Sequence, residues 1–359
     1  MIGRVANNTN QIDKYKSLRQ KKMLVIILLA ILAAIVSIIS INVGASEISF
    51  YQVICTIFGF GNEMSRLIVW QIRVPRVLVA VMGGLGLATA GCVMQNNLQN
   101  PLASPSTLGI SNAAAFGANM AIVVFGAGSI KGTGASLVAI NNPYSVTLSA
   151  FIWAMFAAVV ILFLAKLGSF SPEAMILAGV AISSLFSAGT ILIQYFARDV
   201  QVAAAVFWTF GDLGRVVWSE IAIMSIVVVI GVMYYLFRRW DYNALDSGEE
   251  SAKSLGVNVG KVRFGGMLIS SLITAILVSF LGVIGFIGLI APQIMRRILG
   301  GDHRYLIAAS GLAGALLLLI SDILARVIIS PIVLPIGAVT SFFGAPLFLY
   351  LLVGRYKAR

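Results

Sequence analysis

The sequence predicts an all-α integral membrane protein of about ten transmembrane helices, with spans two to five and seven to ten related as a pseudo-twofold inverted repeat. Three observations carry that expectation. Hydrophobic residues make up 59% of the 359 and charged ones 11%, and mean hydropathy is +0.98, outside the range of a soluble domain. The apolar residues fall in runs of about twenty, the length a helix needs to cross a ~30 Å hydrocarbon core, where lipid offers backbone N–H and C=O no partner. The runs also form two groups of four offset by five spans. An odd offset sets the groups antiparallel across the membrane, and Gly-rich interiors recur at Gly83 to Gly91 and at Gly282, Gly285 and Gly288.

Taken in order, residues 1–22 form a polar tail with Lys14, Lys16, Arg19, Lys21 and Lys22. Met23 to Val43 is longer than a signal-peptide core and reads as a retained first span. Ser46 to Gly59, with Ile48, Val53, Ile54 and Ile57 among polar residues, suits a short helix along the outer interface. Span two, about Val74 to Met94, follows Arg73. Its Ala80, Gly84 and Ala88 recur at spacing four, as do Gly86 and Ala90, which lets neighbouring backbones approach closely.

Span three covers about Leu108 to Phe125, and a Gly-, Ser- and Asn-rich external loop runs from Gly126 to Asn142. Spans four and five, about Val146 to Leu167 and Pro172 to Phe196, flank a tight turn from Gly168 to Ser171, Pro172 suiting a first helical turn. Arg198 to Ser219 lies outside, and span six covers about Glu220 to Phe237. After a polar loop at 241–261 come the last four spans, about Val262 to Leu281, Ile284 to Ile298, Tyr305 to Ile329 and Pro335 to Val353. A single transmembrane domain thus occupies 23–354, and 355–359 is a short tail.

The net charge of +12 argues against nucleic acid, because the positive residues sit between apolar runs and form no basic stripe or aromatic platform. They report orientation instead. With the N-terminus inside, 18 of the 25 Lys and Arg face the cytoplasm and 7 the outside, which places both termini in the cytoplasm. Arg73, Arg76 and Arg326 are exceptions, clustered at the outer ends of spans two and nine. Either they snorkel, Arg326 pairing with Asp322 one turn back, or they form a basic rim for an acidic external partner.

A catalytic cluster is missing: the chain has one histidine and 13 acids, nearly all at water-facing ends, so an intramembrane enzyme is disfavoured. His303 falls in a tight turn and reads as structural, not as a metal ligand. Gly256 to Lys261 has three residues between its glycines where a phosphate-binding loop has four, and Val262 stands where Ser or Thr must hold magnesium. Any energy comes from elsewhere. Asp246 to Val259 can form a short surface helix closed by Gly256, presenting charge and a Leu255–Val257 tip to the cytosol, as a connector or as a docking knob. Ser183, Ser187, Thr190 and Gln194 give span five a polar stripe at helical spacing, for packing or for lining a pathway. Cys55 and Cys92 carry no pairing information.

These motifs together resemble one family over nearly all of the chain after its tail. The carrying residues are Arg73-Val-Pro-Arg76; Gln95 with NPLASP from Asn100 and LGIS from Leu108; LAGVAIS from Leu177; WTFGDLG from Trp208; GEESAKSLGVNV from Gly248; GFIGLIAPQIMRR from Gly285 with GDHR from Gly301; and LPIGAVTSFFGAP from Leu334. In that order and spacing they resemble FecCD-type permeases of ABC importers for iron-siderophores, haem and vitamin B12. The resemblance implies a multi-pass protein of the prokaryotic cell (inner) membrane, surrounded by lipid. A second copy or a paralogue would complete the channel, above two copies of a separate ABC ATPase subunit. An extracellular or periplasmic substrate-binding protein would feed it, and no cofactor or metal would be resident.

It further implies that Arg73, Arg76 and Arg326 meet glutamates of that binding protein. Glu249, Glu250, Ser254, Leu255, Gly256 and Val257 would receive the ATPase stroke, and Asn100, Pro101, Leu102, Ser171 and Glu173 would form cytoplasmic gate loops, although Pro172 and Glu173 depart from the expected gate pattern. Ferric siderophore is the expected cargo, with haem or vitamin B12 as alternatives. An ATP-independent transporter or channel is the alternative class, disfavoured by the coupling-loop match and the lack of mid-membrane ionisable residues for ion coupling.

Overall fold

Where no water reaches the backbone, each segment must satisfy its own N–H and C=O groups, and the chain does so almost entirely as helix. The computed structural model describes residues 2–44, 49–129, 139–140, 142–168 and 171–356. Its helices are α1 (Ile2–Asn42), α2 (Phe50–Ile57), α3 (Glu63–Leu67), α4 (Val74–Asn97), α5 (Ile110–Asn119), α6 (Pro143–Leu167), α7 (Pro172–Tyr195), α8 (Asp199–Thr209), α9 (Trp218–Phe237), α10 (Arg239–Asp246), α11 (Glu249–Ser254), α12 (Val259–Leu281), α13 (Ile287–Leu299), α14 (His303–Val327) and α15 (Ile336–Tyr356). Wider π turns at Ile68–Arg73 and Met120–Val124 join α3 to α4 and extend α5.

Seven helical stretches are long and apolar enough to cross a membrane: Lys16–Asn42, Glu63–Asn97, Pro143–Leu167, Pro172–Tyr195, Trp218–Phe237, Val259–Leu281 and His303–Val327. Ile110–Val124 and Ile336–Leu351 are shorter apolar helices, and α13 has 13 residues. Each of the ten expected runs is therefore helical.

Elsewhere the structure adds elements the sequence reading did not specify. The polar residues 2–22 are helical and continuous with the first apolar run in α1, nothing between Lys14 and Met23 breaking a helix. Asp199–Thr209 is also helical, with Ala204, Ala205 and Trp208 buried. The loop after α5 carries a two-residue antiparallel pair, β1 (Gly128–Ser129) with β2 (Ala139–Ile140), within an otherwise helical fold. Most of that loop, residues 45–48 of the expected interfacial segment, 169–170 of the expected gate turn and 357–359 of the C-terminal tail lie outside the described residues.

The π turn before α4 has a local cause. Pro75 has no N–H to return to Gln71, and its ring would press on that carbonyl; widening the turn, with Val74 N–H bonded to Val69 O, moves it aside.

Small residues then let α4 run through the centre. A Cβ at Gly91 would overlap the Gly288 carbonyl of α13, and one at Gly84 would overlap Gly314 of α14, so backbones touch where any larger residue would hold them apart. α4 packs on α12, α13 and α14; α12 also packs on α5 and α6; α5 packs on α6 and α7; α6 packs on α7; and α13, α14 and α15 pack on one another. By contrast α1 and α7 are only 6% and 17% buried across their apolar windows, so their free faces belong to lipid or to another subunit.

Candidate functional site

At the C-terminal end of α1, arginines from the π turn, α4 and α14 converge. The last carbonyls of α1 have no intrahelical donors, and cations suit a helix C-terminus. Arg73 Nη1 donates to Ile41 O at 3.0 Å and Asn42 O at 3.2 Å. Arg326 donates to Ser40 O at 3.0 Å, to Ser40 Oγ at 2.6 Å and to Val43 O. Asp322, fully buried, accepts from Arg76 Nε at 2.7 Å and lies 2.8 Å from Arg326 Nη2. All three sequence-predicted arginines thus gather in one cluster. Their side chains are nearly buried, Arg76 being the most open at 11%, and Arg76 and Arg326 share the Asp322 carboxylate.

The opposite end of α4 is built from amides. Pro292 gives α13 no N–H at that position, so the Gly288 carbonyl lacks its helical donor. Gln95 supplies one: its Nε2 lies 3.4 Å from Gly288 O and 3.1 Å from Leu289 O. Gln95 Oε1 in turn accepts from Gln293 Nε2 at 2.7 Å, and the same Nε2 donates to Pro101 O at 3.1 Å. Two glutamines therefore tie α13 to the loop after α4. In that loop Gln99 adopts φ 45°, and Asn100 Oδ1 accepts from Leu102 N at 2.9 Å, closing an Asx turn that leaves Leu102 exposed. A cavity of about 450 Å³ opens here, bordered by Gln95, Gln99, Pro101, Asp246, Gln293 and Arg296.

Ser171 and Glu173, expected at the same gate, stand at the start of α7. Ser171 Oγ caps that helix by accepting from Ala174 N at 3.2 Å, and Glu173 is exposed in its first turn.

Beside the glutamines, α10 and α11 are anchored through Asp246. Its Oδ1 accepts from Asn96 Nδ2 at 2.7 Å; its Oδ2 lies 3.6 Å from Arg296 Nη1 and 3.5 Å from His303 Nδ1. One carboxylate thus joins the α10–α11 corner to α4, α13 and α14. Burial pushes its pKa up, offset in part by Arg296 and Asn96. His303, read from sequence as a turn residue, is fully buried, its N–H held by Asn243 Oδ1 at 2.7 Å. Asp302 beside it grips Arg304 at 2.6 to 3.0 Å and accepts from Asn243. Burial pushes the Asp302 carboxyl up, but Arg304 and Asn243 outweigh it and hold it at about 2.

α11 itself buries only Ala252. Gly256 at φ 81° closes it in a Schellman turn, with Gly256 N–H bonded to Lys253 O at 2.9 Å and Val257 N–H to Ala252 O at 3.0 Å. Glu250, Ser254, Leu255 and Gly256 face solvent, Leu255 at 70% exposure, and Val257 is half-buried. Glu249 bridges Lys253 and Arg263 at 2.9 Å each, and the Lys253 ammonium, helped by Arg263, holds its carboxyl below the usual carboxylate range. The arrangement is a rigid, apolar-tipped projection on an otherwise charged surface.

The polar stripe of α7 turns toward α5. Ser183 and Ser187 accept from Asn112 Nδ2 at 2.5 and 3.2 Å, Gln194 Nε2 donates to Asn119 Oδ1 at 2.9 Å, and Thr190 bonds the Phe186 carbonyl of its own helix at 2.8 Å. Sequence reasoning singled out neither Asn112 and Asn119 nor the Gln293 and Asp246 contacts. The local signal available was a glutamine directly after a mid-helix proline.

Residues 30–354 match the FecCD transport family. A Methanocaldococcus jannaschii protein assigned as an ABC transporter permease is 55% identical over 96% of this chain and 98% of its own length. An Fe(3+)-citrate import system permease of Bacillus subtilis is 35% identical over 96% and 99%. Among solved structures, an inward-facing transporter assigned to the metal-chelate type of ABC transporters superposes with a TM-score of 0.78 at 29% identity, covering 92% of this chain and 98% of that one.

Proposed function

This chain belongs to the FecCD transport family, and on that premise we propose that it is the membrane-spanning subunit of an ATP-driven importer whose cargo is a ferric siderophore or similar metal chelate. Such permeases work with a separate ATPase and a substrate-binding protein. The observation that carries the reading within this chain is the exposed tip of α11, joined through Asp246 and Asn96 to the helix that ends in the glutamine-held loop. A push on Leu255 is delivered to α4, α13 and α14 together, because one carboxylate touches all three.

We further propose ten spans, both termini in the cytoplasm, and an inverted repeat. Exchanging α4, α5, α6 and α7 for α12, α13, α14 and α15 turns the packing of α4 on α14 into that of α12 on α6, and of α5 on α6 into that of α13 on α14. It likewise turns α4 on α13 into α12 on α5. The helices so equated, α5 and α13, both start from a left-handed residue, Gly109 at φ 79° and Phe286 at φ 65°.

In this reading Arg73, Arg76 and Arg326, gathered at the outer ends of α4 and α14, receive acidic side chains of the loaded binding protein. Glu249, Glu250, Ser254, Leu255, Gly256 and Val257 seat the ATPase. Asn100, Pro101 and Leu102, with Ser171 and Glu173, gate the inner mouth. A second copy or paralogue covers the open flank of α7, and Ser183, Ser187, Thr190 and Gln194 border the path with hydroxyl and amide groups already bonded inside the subunit. Such a wall slides past a bulky chelate without holding it. ATP binding and hydrolysis on the partner then switch which mouth is open, and this chain hydrolyses nothing.

The test is uptake into proteoliposomes holding the permease, its ATPase and its binding protein, offered ferric hydroxamate, ferric citrate, hemin or cobalamin. ATP-dependent entry of a ferric chelate is the expected result; entry of hemin or cobalamin alone reassigns the cargo, and ATP-independent entry overturns the importer reading.

A further inference from the structure

A small cavity of about 100 Å³ lies between the N-terminal part of α1 and the start of α14, lined by Leu18, Arg19, Lys22, Asp302, Arg304 and Tyr305, and import as described above makes no use of it. The sequence sets its depth. Arg19 and Lys22 stand just before the apolar run that opens at Met23, and Tyr305 stands at the head of the apolar run of α14. The cavity therefore sits where hydrocarbon gives way to headgroups. It also faces outward, since α1 leaves most of its apolar surface uncovered and leans on the bundle mainly through α14.

Its charges are unequally matched. Asp302 is engaged by Arg304, whose guanidinium also lies over the rings of Trp240 at 4.7 Å and Tyr305 at 5.5 Å. Lys22 also lines the pocket, its ammonium 5.4 Å from the centre of the Tyr305 ring. With Arg304 balanced by Asp302, Arg19 and Lys22 leave a surplus of two positive charges around a space walled on one side by the Tyr305 ring. Below them the exposed Leu24, Ile27, Leu28 and Ile31 offer a greasy track along α1. An anion with apolar chains attached satisfies both features. A zwitterionic headgroup brings its own cation and gains less.

We propose that this cavity binds the headgroup phosphate of an anionic phospholipid, with its acyl chains lying along α1, and so clamps the foot of α1 to the junction of α10 and α14. The site is independent of which cargo is carried. Basic residues near a membrane surface contribute enough each that losing two weakens binding by roughly thirtyfold.

The experiment is native mass spectrometry of the full chain in neutral detergent, titrated with phosphatidylglycerol, phosphatidylcholine or inorganic phosphate, with a thermal melt of each variant without lipid as the folding control. Expected are retention of phosphatidylglycerol over phosphatidylcholine, a roughly thirtyfold loss in R19Q/K22Q, and near-wild-type binding in K16Q/K21Q, which removes the same charge from positions outside the cavity. Equal losses in the two double variants would reduce the effect to surface charge and overturn the site. So would equal retention of both lipids. Displacement of phosphatidylglycerol by equimolar inorganic phosphate would reassign the cavity to a free anion and overturn the lipid assignment.

Discussion

Replacing Gln293 by Leu removes the donor shared by Gln95 Oε1 and Pro101 O and leaves the volume nearly unchanged. Both border the cavity, but Gln95 is only 3% exposed while Pro101 is half-buried, so water replaces the lost donor more poorly at Gln95 Oε1 than at Pro101 O. The cost is therefore set by one buried acceptor, about 1–3 kcal/mol, or roughly 5- to 150-fold in the equilibrium that frees the loop. Amide hydrogen exchange reads that equilibrium directly. Residues 98–104 should exchange faster by that factor, while the exchange of α12 and α14 cores stays unchanged. Gln95→Leu should act more strongly, because it also strips the Gly288 carbonyl of the donor Pro292 denies it. If Gln293→Leu left exchange at 98–104 at the wild-type rate in a folded protein, the glutamine tie would hold nothing.

Other consequences follow from single contacts. Leu255→Asp places a charge on the apolar tip of α11 and should weaken ATPase binding at least tenfold by pull-down titration, with an unchanged melting temperature because Leu255 packs on little of its own chain. Gly91→Val must force α4 off the Gly288 carbonyl, and thermal melting in detergent should show a loss of more than about 3 kcal/mol or no folded protein. Asp302 is held at about 2, below its unfolded value, so its contribution is complete above that unfolded value and is lost as pH falls through the folded one. Melting temperature should accordingly fall more steeply below about pH 4 in wild type than in Asp302→Asn, the two running parallel at neutral pH.

The bilayer made much of the fold readable in advance. A segment in lipid has few alternatives to helix, so each apolar run from Met23 to Val353 became one, and small residues at spacing four marked where α4 meets its neighbours. Gly256 was legible for a different reason: a helix end needs a left-handed residue, and that requirement is local. The arginines were only half legible. Their clustering followed from their positions at span ends, but their burial did not, because the carbonyls that hold Arg73 belong to α1 some thirty residues earlier. Periodicity put Ser183, Ser187, Thr190 and Gln194 near one face of α7 without saying what that face meets, and Asn112 and Asn119 supply the answer. Gln95 and Gln293 stand 198 residues apart, and only the proline before the second hinted that a carbonyl nearby would need a donor.

The central claim is that this chain is a passage driven by another subunit through α11. The most direct measurement compares chelate flux through vesicles holding the permease alone with flux through vesicles that also hold the ATPase and the loaded binding protein, both supplied with ATP. Uptake against a gradient in the second case and none in the first is predicted. Comparable flux through the permease alone would contradict it.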